Sequence, residues 1–442
     1  MTQTAYRAQL LTFREDPAHA ADCAVYEADG LLIVEDGKVS AAGAYASLRD
    51  TLSPDATVHT MRDKLIVPGF IDSHIHYPQT DMIASPAAGL LPWLNTYTFP
   101  TERGFENPAV ARETASFFID ELLACGTTTA LVYCTVHKQS ADAFFTESEA
   151  RNLRMVAGKV LMDRNCPEFL RDTAQSSYDD SAELIARWHG RGRQHYALTP
   201  RFAPTSTEAQ LEACGALAQK HQDVFIQSHV AENTDEIKWV ESLFPGHRSY
   251  LDIYDHYGLL RRRAVYGHCI YLDDRDRERM AETGAVASHC PTSNLFLGSG
   301  LFDFEKAGAS NMPVALATDV GGGTSFSMLQ TMNEAHKVAR LTGHHLTATR
   351  MFWLATTGAA QVLELDDKIG TLKPGSEADF VVLDPNATPL LARRTSRTES
   401  LEELLFAFAL LGDDRAVFET YAAGKRVHSR DTRKTAKLEL AA

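Results

Sequence analysis

Along the middle of the chain, short apolar runs alternate with longer stretches in which apolar residues recur three or four apart. The runs are LIVPGFIDSHIH, TALVYC, VAGKVLMD, HYALTPRF, VFIQSHV, AVYGHCI, AVASHCP and PVALATDV. Continuous apolar runs of this length predict strands buried on both faces. Between them, NPAVARETASFFIDELLACG, DDSAELIARWHG, STEAQLEACGALAQKH and DDRDRERMAETG carry helical spacing; in the first, Pro108 opens the helix and Gly126 closes it. Eight strands alternating with helices predict an α/β fold, a (β/α)8 TIM barrel spanning 67–364.

The flanks have a different rhythm. Residues 1–66 predict short strands, with Asp36-Gly37 between two apolar runs as a hairpin turn. After 365, GTLKPGSEADFVVLD sets a Pro-Gly turn before an alternating run, and AVFETYAAGKRVHSR predicts a further strand pair. The two pieces, 1–66 and 365–442, are expected to join in one small β-sandwich domain beside the barrel.

Composition narrows the chemistry. With 44% hydrophobic and 23% charged residues, the chain is globular rather than disordered. Its 43 basic against 58 acidic residues give a net charge of −15, which repels phosphate backbones and anionic lipid. No run of 18 apolar residues and no basic-flanked apolar leader occurs, so a cytoplasmic protein is expected, with neither nucleic acid nor membrane as partner. The seven cysteines form no CxxC pair, so a bound metal would take His and carboxylate ligands.

Those ligands are present at strand ends. His74 and His76 stand at i and i+2 of the first strand and face the same way. His229 closes VFIQSH, His268 closes VYGH and Asp319 closes VALATD. A barrel brings the C-terminal ends of its strands to one mouth, where imidazole and carboxylate suit zinc with an open position for water. Glu232, three residues beyond His229, is read either as a proton shuttle beside the metal-bound water or as an acidic residue favoured by a helix N-terminus. Asp319 is read as a ligand, as a hydrogen-bond partner of the attacking water, or as an Asx turn before Gly321-Gly322-Gly323. His268 ligates, orients the water, or is a core histidine. His289 is read as structural or supporting, and His59, His137, His189 and His195 as ordinary.

The motifs PGFIDSHIHYPQ, LPWLNTYTFPTE, LTPRFAPTS, SHVAEN, YGHCIYL, SHCPTSNLFLGSG and ATDVGGG occur in this order over nearly the whole chain. In them the chain resembles the amidohydrolase superfamily, and within it the guanine deaminases. That resemblance implies one zinc per chain, with iron as the competing ion, on His74, His76, His229 and Asp319. Glu232 is then the acid/base, and His268 and Asp319 hold the water. It implies guanine contacts from Gln79, Arg201 and Phe202 beside His229 and Glu232, and a homodimer. Hydroxide adds to C2 of guanine, Glu232 carries its proton to N3, and ammonia leaves to give xanthine. Independently, Arg201 is a pure donor and suits the 6-oxo acceptor of guanine rather than the 6-amino group of adenine. Trp93, Phe99 and Phe202 are read as ring-stacking or as core residues, and 89–105 as a lid over the substrate. Other deaminases of the superfamily are the nearer alternatives. A more distant one carboxylates Lys159, in the third strand, to bridge two metals in a cyclic-amide hydrolase.

Overall fold

The computed structural model describes residues 3–20, 22–86 and 89–432. Strands β1 (Thr4–Phe13), β2 (Ala24–Glu35), β3 (Lys38–Ala44) and β4 (Thr57–Pro68) come first. The barrel strands are β5 (Phe70–His76), β6 (Thr127–Tyr133), β7 (Arg154–Gly158) with its short continuation β8 (Val160–Leu161), and β9 (Gln194–Pro200). They continue with β10 (Phe225–Val230), β11 (Ala264–His268), β12 (Val286–His289) and β13 (Val314–Leu316). Strands β14 (Phe380–Leu383), β15 (Val417–Ala422) and β16 (Lys425–Ser429) complete the set.

Barrel neighbours pair in parallel in chain order. The first and last strands meet where Asp319 N–H donates to His74 O at 2.9 Å and His76 N–H donates to Val320 O at 2.8 Å. Inward side chains including Ile71, Leu131, Val156, Phe225, Val265 and Val286 fill the lower barrel, and Ala359, Ala360 and Leu363 plug it from below. Each such aliphatic side chain contributes roughly 1.5–3 kcal/mol by leaving water. The barrel is therefore a packed floor, and only its upper mouth is open to chemistry.

The helices start where capping residues allow. Asn107 accepts from Ala109 N–H to open Pro108–Ala124, and Gly126 follows its end at φ +81°, a left-handed conformation that costs glycine nothing. Asp273 caps Asp274–Thr283, and Gly284 terminates it in the left-handed region. One helix starts earlier than its apolar spacing indicates: Ala174–Trp188 begins ahead of Asp179, because Thr173 and Ser176 form a reciprocal capping box.

Both termini contribute to one hydrogen-bonded seven-stranded sheet, in the order β16-β15-β14-β4-β1-β2-β3. Only β1 and β4 pair in parallel. Asp36 and Gly37, both at positive φ, make the two-residue turn between β2 and β3. Two helices, Pro389–Thr395 and Leu401–Leu411, lie between β14 and β15, where the sequence reading has only strands. In LEELLFAFALL the apolar residues run nearly all round, so no helical stripe stands out. Arg193 joins sheet and barrel, donating to Glu377 from Nε (2.9 Å) and Nη2 (2.5 Å) and pairing with Asp379. Among the described residues, no helix is long and apolar enough to cross a membrane.

Candidate metal centre and active site

The side chains at the strand ends converge. His74 and His76 project inward from β5, while Ile75 between them joins the outer core. His76 Nε2 lies 3.2 Å from His74 Nε2 and 3.2 Å from His229 Nε2. Asp319 Oδ1 is 3.2 Å from His74 Nε2 and 3.4 Å from His76 Nε2. Asp319 has φ +52° and His268 φ +72°, sterically costly for residues bearing a Cβ. Both sit just where a strand ends and its side chain must turn into the mouth, a demand that the sequence does not reveal.

His76, His229 and Asp319 have the protonation states a metal requires. Burial drives the His76 imidazole down to about 3 and that of His229 well below its ordinary value, so both keep their lone pairs at neutral pH. Burial alone would raise the Asp319 carboxyl, but the surrounding imidazoles, His74 first, hold it well below the usual carboxylate range. His229 Nδ1–H donates to the Arg201 carbonyl at 2.6 Å, which points its Nε2 lone pair at the cluster. The neutral imidazoles of His76 and His229 and the ionised Asp319 carboxylate, aimed with His74 at one point, fit a divalent cation.

Glu232 lies beside this cluster, outside it. Its Oε2 is 3.4 Å from His268 Nε2, and its Oε1 accepts from Ser299 Oγ at 2.8 Å. His268 Nε2 is 3.8 Å from Asp319 Oδ2, and its Nδ1–H donates to Asn294 Oδ1 at 2.9 Å. Burial, and then the Asp319 charge, push the Glu232 carboxyl up. His74, His268, Asp319 and Cys290 form a second, overlapping group, so His268 and the buried Cys290 also border the first.

A cavity opens above these residues. Gln79, Arg201, Phe202 and Trp93 line it together with His76, His229, Glu232, His268 and Asp319. The segment 89–105 folds into short helical turns and supplies Leu90, Trp93 and Leu94 to the wall. Phe99 instead lies beneath the Arg201 guanidinium, 5.4 Å from ring centroid to Cζ. His289 is buried under the mouth, stacked on Phe302 at 4.7 Å. Lys159 is outside both metal-ligand groups, its ammonium paired with Asp172.

Four supporting residues escaped the sequence reading. Tyr133 packs its ring on His76 (4.4 Å) and His74 (4.7 Å). Asp72 accepts from Thr318 N–H and Oγ1 and from His74 N–H, joining the first and eighth strands at the ligands; burial pushes its carboxyl up to about 6. Glu236 accepts from Glu232 N–H (3.0 Å) and Tyr250 Oη–H (2.9 Å), fixing the backbone at Glu232. Glu102 accepts from both Arg201 and Gln79. For Glu236, the Asn233-x-x-Glu236 capping-box spacing was available as a signal. The others depend on contacts distant in sequence.

A barrel with this ligand set defines a metal-dependent hydrolase, and the amidohydrolase family model matches residues 65–427. The chain belongs to the amidohydrolase family. It is 49% identical over 417 residues to the guanine deaminase of Escherichia coli (strain K12), covering 94% of this chain and 95% of that protein. The solved E. coli guanine deaminase superposes with a TM-score of 0.95 at 48% identity, over 97% of this chain and all 100% of that one. A guanine deaminase from C. acetobutylicum, solved with guanine bound in its active site, gives 0.88 at 28% identity, over 97% of this chain and 100% of that one.

Proposed function

We propose that this chain catalyses the hydrolytic deamination of guanine to xanthine and ammonia, with one zinc ion held by His74, His76, His229 and Asp319. The observation that carries this reading is one cavity lined by His76, His229 and Asp319 of the four-ligand cluster together with Glu232 and Arg201. The 49% identity to a guanine deaminase supports it. Zinc suits imidazole and carboxylate ligands. A homodimer, which the resemblance to that family implies, and a cytoplasmic location, read from the sequence, belong to the same proposal.

When bound, the ion lowers the pKa of water from ~15.7 towards ~7 and so makes it a nucleophile at neutral pH. The chain's own residues do the rest. Glu232 accepts a proton as the water oxygen adds to C2 of guanine and delivers it to N3. The remaining hydroxyl proton leaves with the C2 amine as ammonia, and C2 becomes the carbonyl of xanthine. A carboxyl raised by burial can hold and release that proton near neutrality. His268 and Asp319 orient the water, while Gln79, Arg201 and Phe202 hold the purine.

The test is ammonia release from guanine, adenine, cytosine, 8-oxoguanine and aminotriazines with zinc supplied. Guanine is expected to turn over fastest; an inert guanine beside another active ring would overturn the assignment.

A further inference from the structure

The part of the cavity wall formed by Gln79 and Arg201 is organised around a carboxylate that the reaction itself does not use. Glu102, on the short helix Phe99–Arg103, is buried with its side chain only 1% exposed, and it receives Arg201 Nη1 on both oxygens, at 2.9 and 2.8 Å. Its Oε1 also accepts from Gln79 Nε2 at 3.3 Å, while Gln79 Oε1 accepts from Gly321 N–H at 3.2 Å. A flipped Gln79 amide would set oxygen against carboxylate and NH2 against N–H, so its orientation is locked. The Phe99 ring lies against the Arg201 guanidinium and holds its plane.

One acceptor-only group thus takes Nη1 of the arginine and one proton of the amide. The other guanidinium nitrogens and the second amide proton remain for the cavity that both residues line. Arg201 and Gln79 thus offer donors to that wall. We infer that Glu102 is a specificity-determining positioning residue: by fixing Arg201 and Gln79 it makes the pocket a donor cradle for a purine carrying a ring oxo group. Glu102 belongs to the segment that walls the cavity and Arg201 follows β9, so one ion pair both closes the wall and aims the donors. A site built in this way rejects an analogue lacking the acceptor, because its buried donors are then left unpaired.

The inference rests on the guanine reading, and its test separates the two. The ligands are guanine and 2-aminopurine, which keeps the reacting C2 amine and lacks the oxo group. For Glu102→Gln, kcat/KM for guanine is expected to fall about 100-fold, mostly through KM, while the inhibition constant of 2-aminopurine changes less than about 3-fold. Glu102→Asp, which keeps the charge, should fall between the variant and the unaltered protein, and it carries the same comparison if Glu102→Gln does not fold. Equal losses for both ligands, or no loss for guanine, would overturn the inference. Failure of the unaltered protein to deaminate guanine would instead strike the proposed function.

Discussion

His229 is held by Arg201: its Nδ1–H donates to the arginine's backbone carbonyl at 2.6 Å, while the guanidinium of the same arginine faces the cavity. One residue at the end of β9 thereby orients a ring of the candidate ligand cluster with its main chain and lines the cavity with its side chain. The His229 tautomer is set by a carbonyl, which can only accept, so the Nε2 lone pair is left facing the candidate ligand cluster.

Metal content should therefore be one ion per chain. Chelation is expected to abolish ammonia release, and a single equivalent of zinc to restore it. Thermal unfolding should move up on reloading, since a ligand at 1,000 times its Kd adds about 4 kcal/mol of stability. Two ions per chain together with bicarbonate dependence would favour a carboxylated Lys159 and count against its pairing with Asp172.

Glu232→Gln removes the proton carrier and leaves the ligand cluster intact, because Glu232 is outside that cluster. Turnover is expected to fall by about 10²–10⁴-fold, the range for general acid/base groups, with zinc content unchanged. Turnover close to that of the unaltered protein would remove the shuttle role.

Ser299 gives the pH dependence a direction. Its hydroxyl donates to Glu232 Oε1 at 2.8 Å and favours the ionised carboxylate, against burial and the Asp319 charge, which push the carboxyl up. Glu232 must be ionised to accept the water proton, so the acid limb of kcat/KM follows its pKa. In Ser299→Ala that pKa should rise and the acid limb move to higher pH. An unmoved limb would assign the limb to another group.

Arg193 tests the junction of barrel and terminal sheet. Burial works to raise the Glu377 carboxyl, but Arg154 and Arg193 outweigh it and hold it below its ordinary value. Its contribution to stability is thus full above about pH 4.3, the unfolded glutamate value, and lost as pH falls through the lower folded value. Arg193→Met should cost about 3–5 kcal/mol near neutrality, because it strands the buried Asp379 carboxylate and leaves Glu377 to Arg154 alone. The gap in thermal midpoint between variant and unaltered protein should narrow at pH 3.

Much of this architecture is written in local pattern. A strand buried on both faces is mostly apolar, so the barrel strands stand out as apolar runs, and the two-residue period of β5 alone requires His74 and His76 to face one way. The cap at Asn107 and the turn at Asp36-Gly37 are equally local, being interactions between near neighbours. Tertiary structure decided whatever depends on closure of the ring: the meeting of Asp319 with β5, the 3.4 Å approach of Glu232 to His268, and the burial of Glu102 against Arg201, 99 residues away. No window of sequence holds both partners of such a contact. Lone acidic residues such as Glu102 and Asp72 carry no periodicity of their own, so only the folded chain shows which of the 58 are buried, and what each one holds.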